Sequence, residues 1–191
     1  MKIALAQLNY HVGNFESNTE KIISNITAAK AKGADIVVFA ELAICGYPPR
    51  DFLEFEDFIS LCENAAQEIA RHCVDIACIV GLPIKNSVVE GKDLYNAAYF
   101  IANGEVKQIV KKALLPTYDV FDEYRYFEPN TVFDCVDYQG KKIALTICED
   151  LWNINDNPLY VSCPMDELIK QQPDLMINIA ASPFDYGHDE D

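Results

Sequence analysis

Three residues far apart in the chain could together cleave an amide. Glu41 follows the apolar run "DIVVFA", Lys112 ends "EVKQIVKK", and Cys148 closes "KKIALTIC". A cysteine that attacks an amide carbonyl must act as a thiolate, and a nearby ammonium such as Lys112 lowers its pKa toward neutrality. The same ammonium can stabilise the oxyanion of the tetrahedral intermediate, helped by the backbone N–H of Glu149 in a sharp turn after the sulfur. A carboxylate must then take the thiol proton, pass it to the departing ammonia and activate the water that opens the thioester. Glu41 fits that role. Taken singly, each residue has a plainer reading: a lysine at a strand end is usually solvated, and a glutamate after an apolar run usually caps or faces water. Cys148 stands out by its neighbours, because Glu149, Asp150 and the only tryptophan, Trp152, follow at once where the strand pattern stops. The other cysteines, Cys45, Cys62, Cys73, Cys78, Cys135 and Cys163, read as small buried hydrophobes.

The elements that must carry these residues alternate between strand and helix. "KIALAQL" reads as a first strand, and "NTEKIISNITAAKAKG" as a helix with Ile22, Ile23, Ile26 and Ala29 at helical spacing and Gly33 after its end. "DIVVFAEL" has the composition of a strand covered on both faces. A second helix is predicted over roughly Glu56 to His72, with a wide apolar face, followed by the strand "DIACIVGLP". Two hairpins come next, turning at Asn103-Gly104 and Gln139-Gly140, then a short helix around "PMDELIKQQ" and a last strand "DLMINIAAS". Helices between strands, joined to hairpins, give an α/β domain with mixed sheets, and polar residues at strand ends are where such sheets bind ligands. The chain stops just after a strand, which predicts a C-terminally truncated domain, a fragment of a longer gene product.

Composition narrows the partners. A formal net charge of -15 over 191 residues repels phosphate backbones and anionic headgroups, so neither nucleic acid nor a membrane is expected. The apolar start is too short for a signal peptide and no later run has membrane-spanning length, which predicts a cytoplasmic protein. Seven cysteines without an export signal predict reduced thiols, and three scattered histidines without CxxC or HxxxH spacing predict no metal site.

The segments "FAELAICGYPP", "KALLP" and "TICEDLW" together resemble the glutamate, lysine and cysteine motifs of the nitrilase, or carbon-nitrogen hydrolase, superfamily, in the order that family has them. The resemblance covers essentially the whole chain, residues 1–191, and implies an αββα sandwich and a catalytic triad of Glu41, Lys112 and Cys148. Within the superfamily, "GYPPRDFL" and "LLPTYDVFDEYRYF" resemble the glutaminase domain of glutamine-dependent NAD synthetases. That likeness implies glutamine as substrate, with Tyr118 and Ser182 holding it and Tyr47, Glu149 and Trp152 lining the pocket. It also implies ammonia transfer to a downstream synthetase domain that binds deamido-NAD, ATP and magnesium and is absent from this chain, no cofactor for the present domain, and a homo-oligomer.

Two positions depart from the family. After "SPF", where a lysine or arginine is usual for glutamine binding, this chain has His188 and then acids, and an imidazole binds a carboxylate more weakly than a guanidinium does. Ala180 stands where a serine is common. The loop from Pro116 to Asn130 mixes aromatic residues with Asp119, Asp122, Glu123, Arg125 and Glu128, more charge than packing alone favours. Rival readings are a free-standing amidase or carbamoylase acting on another small amide, a scaffold without activity, and a redox-sensing thiol at Cys148.

Overall fold

The computed structural model describes residues 1–153 and 160–182. Five strands form one sheet in the order β1-β2-β3-β4-β5: β1 Ile3–Leu5, β2 Ile36–Val38, β3 Ala77–Lys85, β4 Leu94–Ala102 and β5 Glu105–Lys111. The first three pair in parallel, and β3, β4 and β5 are antiparallel. A second sheet orders β6 Val136–Tyr138, β7 Lys141–Ile147 and β8 Leu175–Ile179, with β6 antiparallel and β8 parallel to β7. Both sheets are mixed. The hairpin turns fall where the sequence places them, at Asn103 (φ 55°) with Gly104 (φ 78°) and at Gln139 (φ 48°) with Gly140 (φ 72°).

Helices α1 Phe15–Ala31 and α2 Glu56–His72 lie on the outer face of the larger sheet. Their apolar residues, Ile22, Ile26, Phe58, Ile59, Cys62 and Ile69, meet Val37, Cys78, Val80 and Leu82 of the sheet. The other face of that sheet, through Ile36, Val38, Ile79, Ala98 and Phe100, packs on Val136, Ile143, Leu145, Ile147, Ile177 and Ile179 of the second sheet. A short helix α3, Pro164–Ile169, covers the far side of the second sheet through Leu168 against Ala144. The layering is helix, sheet, sheet, helix, the expected αββα sandwich. Period-2 side-chain alternation explains it: neighbouring residues of β2 and β3 serve different interfaces, so both strands read as continuous apolar runs.

Two strands are shorter than the sequence predicts. β1 stops at Leu5 rather than Leu8, and β2 stops at Val38, three residues before Glu41. The reason for the second is local: the chain leaves the sheet to make the turn that holds Glu41, with Leu42 at φ 48°. Among the described residues no helix is long and apolar enough to cross a membrane.

Candidate active site

Glu41, Lys112 and Cys148 come from β2, β5 and β7, and the fold brings these strand ends together. Lys112 is the first residue beyond β5, its backbone N–H still donating to Asn96 of β4 (2.8 Å). Its side chain is fully buried, and its Nζ donates to Glu41 Oε1 (2.7 Å) and to both oxygens of Glu123 (2.9 and 2.8 Å). Asn96 Nδ2 adds a 2.7 Å bond to Glu41 Oε1, and the backbone N–H of Ala181, just beyond β8, donates to Glu41 Oε2 (3.1 Å). Glu41 is thus held from both sheets.

The Glu41 turn has its own supports. Gly81 of β3 lies directly beneath it: a Cβ there would clash with the Leu42 nitrogen and stand 2.8 Å from Ala40 O and from the Glu41 carbonyl carbon. Only glycine lets the turn settle on the strand. Buried Asn18 of α1 donates to Ile44 O (3.1 Å) and His11 O (2.9 Å), pinning the rest of the segment.

Cys148 opens a single 3-10 turn, Cys148–Leu151, and sits at φ 47°. A left-handed backbone costs a non-glycine residue roughly 1–2 kcal/mol, so the fold pays to turn the chain sharply at the sulfur. The first N–H groups of such a turn have no partner within it and face outward from its start. Glu149 and Asp150, both buried, diverge from there. Glu149 accepts from Tyr118 OH (3.0 and 2.8 Å) and from Tyr160 OH (2.6 Å). Asp150 turns the other way, toward backbone amides.

The electrostatics correct one expectation. Burial pushes the Cys148 thiol up to about 12, the carboxylates of Glu41, Glu123 and Glu149 act in the same direction, and Lys112 alone pulls it down. The lysine does not bring the resting sulfur near neutrality; the thiol is protonated in the site as it stands. For Lys112, burial works against the charge, yet Glu41, Glu123 and Cys148 outweigh it and hold the ammonium well above its usual range. Glu123 is pushed up to about 7, chiefly by burial and partly by Glu41, against the pull of Lys112.

Glu123 is the residue that reading the sequence missed as a site member. It stood as one of several charges in the loop after Pro116, and nothing in one dimension distinguishes it from Asp122 or Glu128. The expected pocket residues divide. Tyr47 reaches inward, its OH donating to Glu123 Oε1 (3.0 Å), so it braces the charged cluster. Tyr118 (40% exposed) and Trp152 (60% exposed) stand at the rim with exposed Ser182. His188 lies outside the described residues. Among the described residues no group of three or more His, Cys, Asp or Glu side chains could hold a metal ion.

The profile of the carbon-nitrogen hydrolases matches residues 2–157. The chain belongs to the carbon-nitrogen hydrolase family. Among its relatives, the glutamine-dependent NAD(+) synthetase of Synechocystis is 42% identical over 97% of this chain and 34% of its own length, and that of Aquifex aeolicus is 38% identical over 96% of this chain and 30% of its own. The chain therefore spans about a third of the length of these relatives. The glutamine-dependent NAD+ synthetase of Acinetobacter baumannii, solved with ADP, superposes with a TM-score of 0.86 at 32% identity, covering 97% of this chain and 33% of that one. An amidase from Nesterenkonia shares the fold, with a TM-score of 0.75 at 21% identity over 98% of this chain and 69% of that one.

Proposed function

We propose that this carbon-nitrogen hydrolase domain is the glutaminase part of a glutamine-dependent NAD synthetase, with Cys148 as nucleophile, Glu41 as general base and acid, and Lys112 as oxyanion donor. The observation that carries the reading is the fully buried Lys112 ammonium, clamped between Glu41 and Glu123 within the field of the Cys148 thiol. A charge held so deep serves a purpose other than stability, because buried ion pairs seldom repay their desolvation.

The resting thiol is protonated, so proton transfer to Glu41 accompanies attack. As the sulfur bonds to the carboxamide carbon, the thiol proton moves to Glu41 and the oxyanion is met by Lys112 Nζ and the Glu149 N–H. Glu41 returns the proton to nitrogen, the C–N bond breaks, ammonia leaves, and a glutamyl thioester remains. Water then attacks the thioester, giving its proton to Glu41, and glutamate departs as the proton returns to sulfur. Tyr118, Glu149, Trp152 and Ser182 would hold the amino acid, with His188 or another cation for its carboxylate.

The relatives matched at 34–42% identity are glutamine-dependent NAD synthetases, whereas the amidase likeness stands at 21%, which favours glutamine over the free-standing amidase. The released ammonia would pass to a downstream domain that amidates deamido-NAD with ATP and magnesium, in a cytoplasmic homo-oligomer. The test is ammonia release from glutamine by the intact protein, with mass spectrometry of a quenched reaction. A glutamyl adduct on Cys148 that vanishes in C148A supports the reading. Turnover of another amide in preference to glutamine would transfer the assignment to the amidase class.

A further inference from the structure

Asp150 is buried (3% exposed) and takes no part in the steps above. Its Oδ1 accepts the backbone N–H groups of Ala113 and Leu114, both at 2.9 Å, and its Oδ2 accepts that of Ile147 at 3.2 Å. Ala113 and Leu114 follow Lys112, and Ile147 precedes Cys148. One carboxylate therefore ties the segment carrying the ammonium, from one sheet, to the segment carrying the sulfur, from the other.

Among the described residues no other side chain accepts backbone N–H groups from both segments. The chain leaves the β4–β5 ladder at Lys112, so the next two amides need new acceptors, and β5 and β7 belong to different sheets. A cavity of about 490 Å³ lies between them, lined in part by Gln108, Val110 and Lys111 of β5 and by Leu145, Thr146 and Asp150. The bond to Ile147 also fixes the chain immediately before the left-handed turn at Cys148. Burial pushes the Asp150 carboxyl up to about 6, while the amides of Leu114, Ala113 and Ile147 pull it back toward the ionised form that accepts all three N–H groups. The pattern of three amide donors on one acid suits a carboxylate and not its amide, since an asparagine would turn an NH₂ toward one of the N–H groups.

We propose that Asp150 is a positioning residue that sets the placement of the Lys112 ammonium relative to the Cys148 sulfur. This rests on the catalytic assignment above, and the test separates the two. D150N in the intact protein is assayed for ammonia release from glutamine, for the pH profile of Cys148 alkylation by iodoacetamide read by peptide mass spectrometry, and for thermal stability. The expected result is a kcat about a hundredfold lower, as a displacement of roughly 1 Å between reacting groups produces, with KM within threefold of wild type. Alkylation at pH 8 is expected to slow by about tenfold as the thiol loses the ammonium's pull. If D150N does not fold, the smaller D150S, which keeps one acceptor, carries the same expectations. Wild-type kcat and alkylation in a folded variant overturn the proposal. So does failure of both variants to fold, which makes Asp150 a folding residue only. If wild-type protein releases no ammonia from glutamine, the functional reading fails, while the alkylation profile still decides for or against Asp150.

Discussion

The floor and the rim of the site are built on opposite principles. On the floor, Glu41, Lys112 and Glu123 are almost wholly buried, each held by several hydrogen bonds from segments far apart in the chain. At the rim, Tyr118, Trp152 and Ser182 are open to solvent and supported by few contacts, the Tyr118–Glu149 bond being the main one. The difference teaches that chemistry here depends on prior folding, whereas recognition can be altered without disturbing the core. Substitutions on the floor should therefore lower kcat and stability together, and those at the rim should act on KM.

The sharpest break is expected at the sulfur, which lies beside that floor and carries none of its ion pairs. C148A should abolish ammonia release while leaving thermal stability near wild type, which a paired activity and melting assay checks. G81A places a Cβ against the Leu42 nitrogen and the Glu41 turn, and should lower kcat by about a hundredfold or more through displacement of the base. Retention of activity in G81A would show that the turn can shift without consequence. K112A leaves Glu41 and Glu123 facing each other unpaired and buried, with an expected loss of about 3–5 kcal/mol in denaturant unfolding.

A subtler effect follows from Glu123, whose folded value of about 7 lies above the ordinary 4.5. The folded state binds that proton more tightly than the unfolded chain does. Its stabilising contribution is complete below the unfolded value and is lost as pH rises through about 7. Wild type should lose more thermal stability between pH 5 and pH 8 than E123Q does; equal slopes would mean that Glu123 is ionised throughout. The smallest effects belong to the rim. Y118F removes a hydroxyl donor to Glu149 and should raise KM by a few-fold, near the ~1 kcal/mol of one hydrogen bond, with kcat nearly unchanged.

Sequence reasoning located the hairpin turns and the three motif segments well, because apolar runs, Asn-Gly and Gln-Gly turns and the motifs are all local signals, but it carried β1 and β2 on past Leu5 and Val38. The second helix fell on the predicted bounds, Glu56–His72. What it missed depends on the third dimension. Glu123 differs from its loop neighbours only in pointing inward, and Asp150 gives no sign along the chain that its acceptors are the amides after Lys112. The sign of the Cys148 shift was misread for a similar reason. The lysine was visible as a nearby charge, but two acids that share it, and the burial of all of them, appear only when the strands are assembled.

Lys112 carries one last implication. A surface lysine samples many rotamers, and immobilising one costs up to about 2 kcal/mol of conformational entropy. Here three short bonds to Glu41 and Glu123 have removed that freedom before any ligand arrives. The expense of ordering the positive charge is met once, when the polypeptide folds, and is not levied again at each turnover.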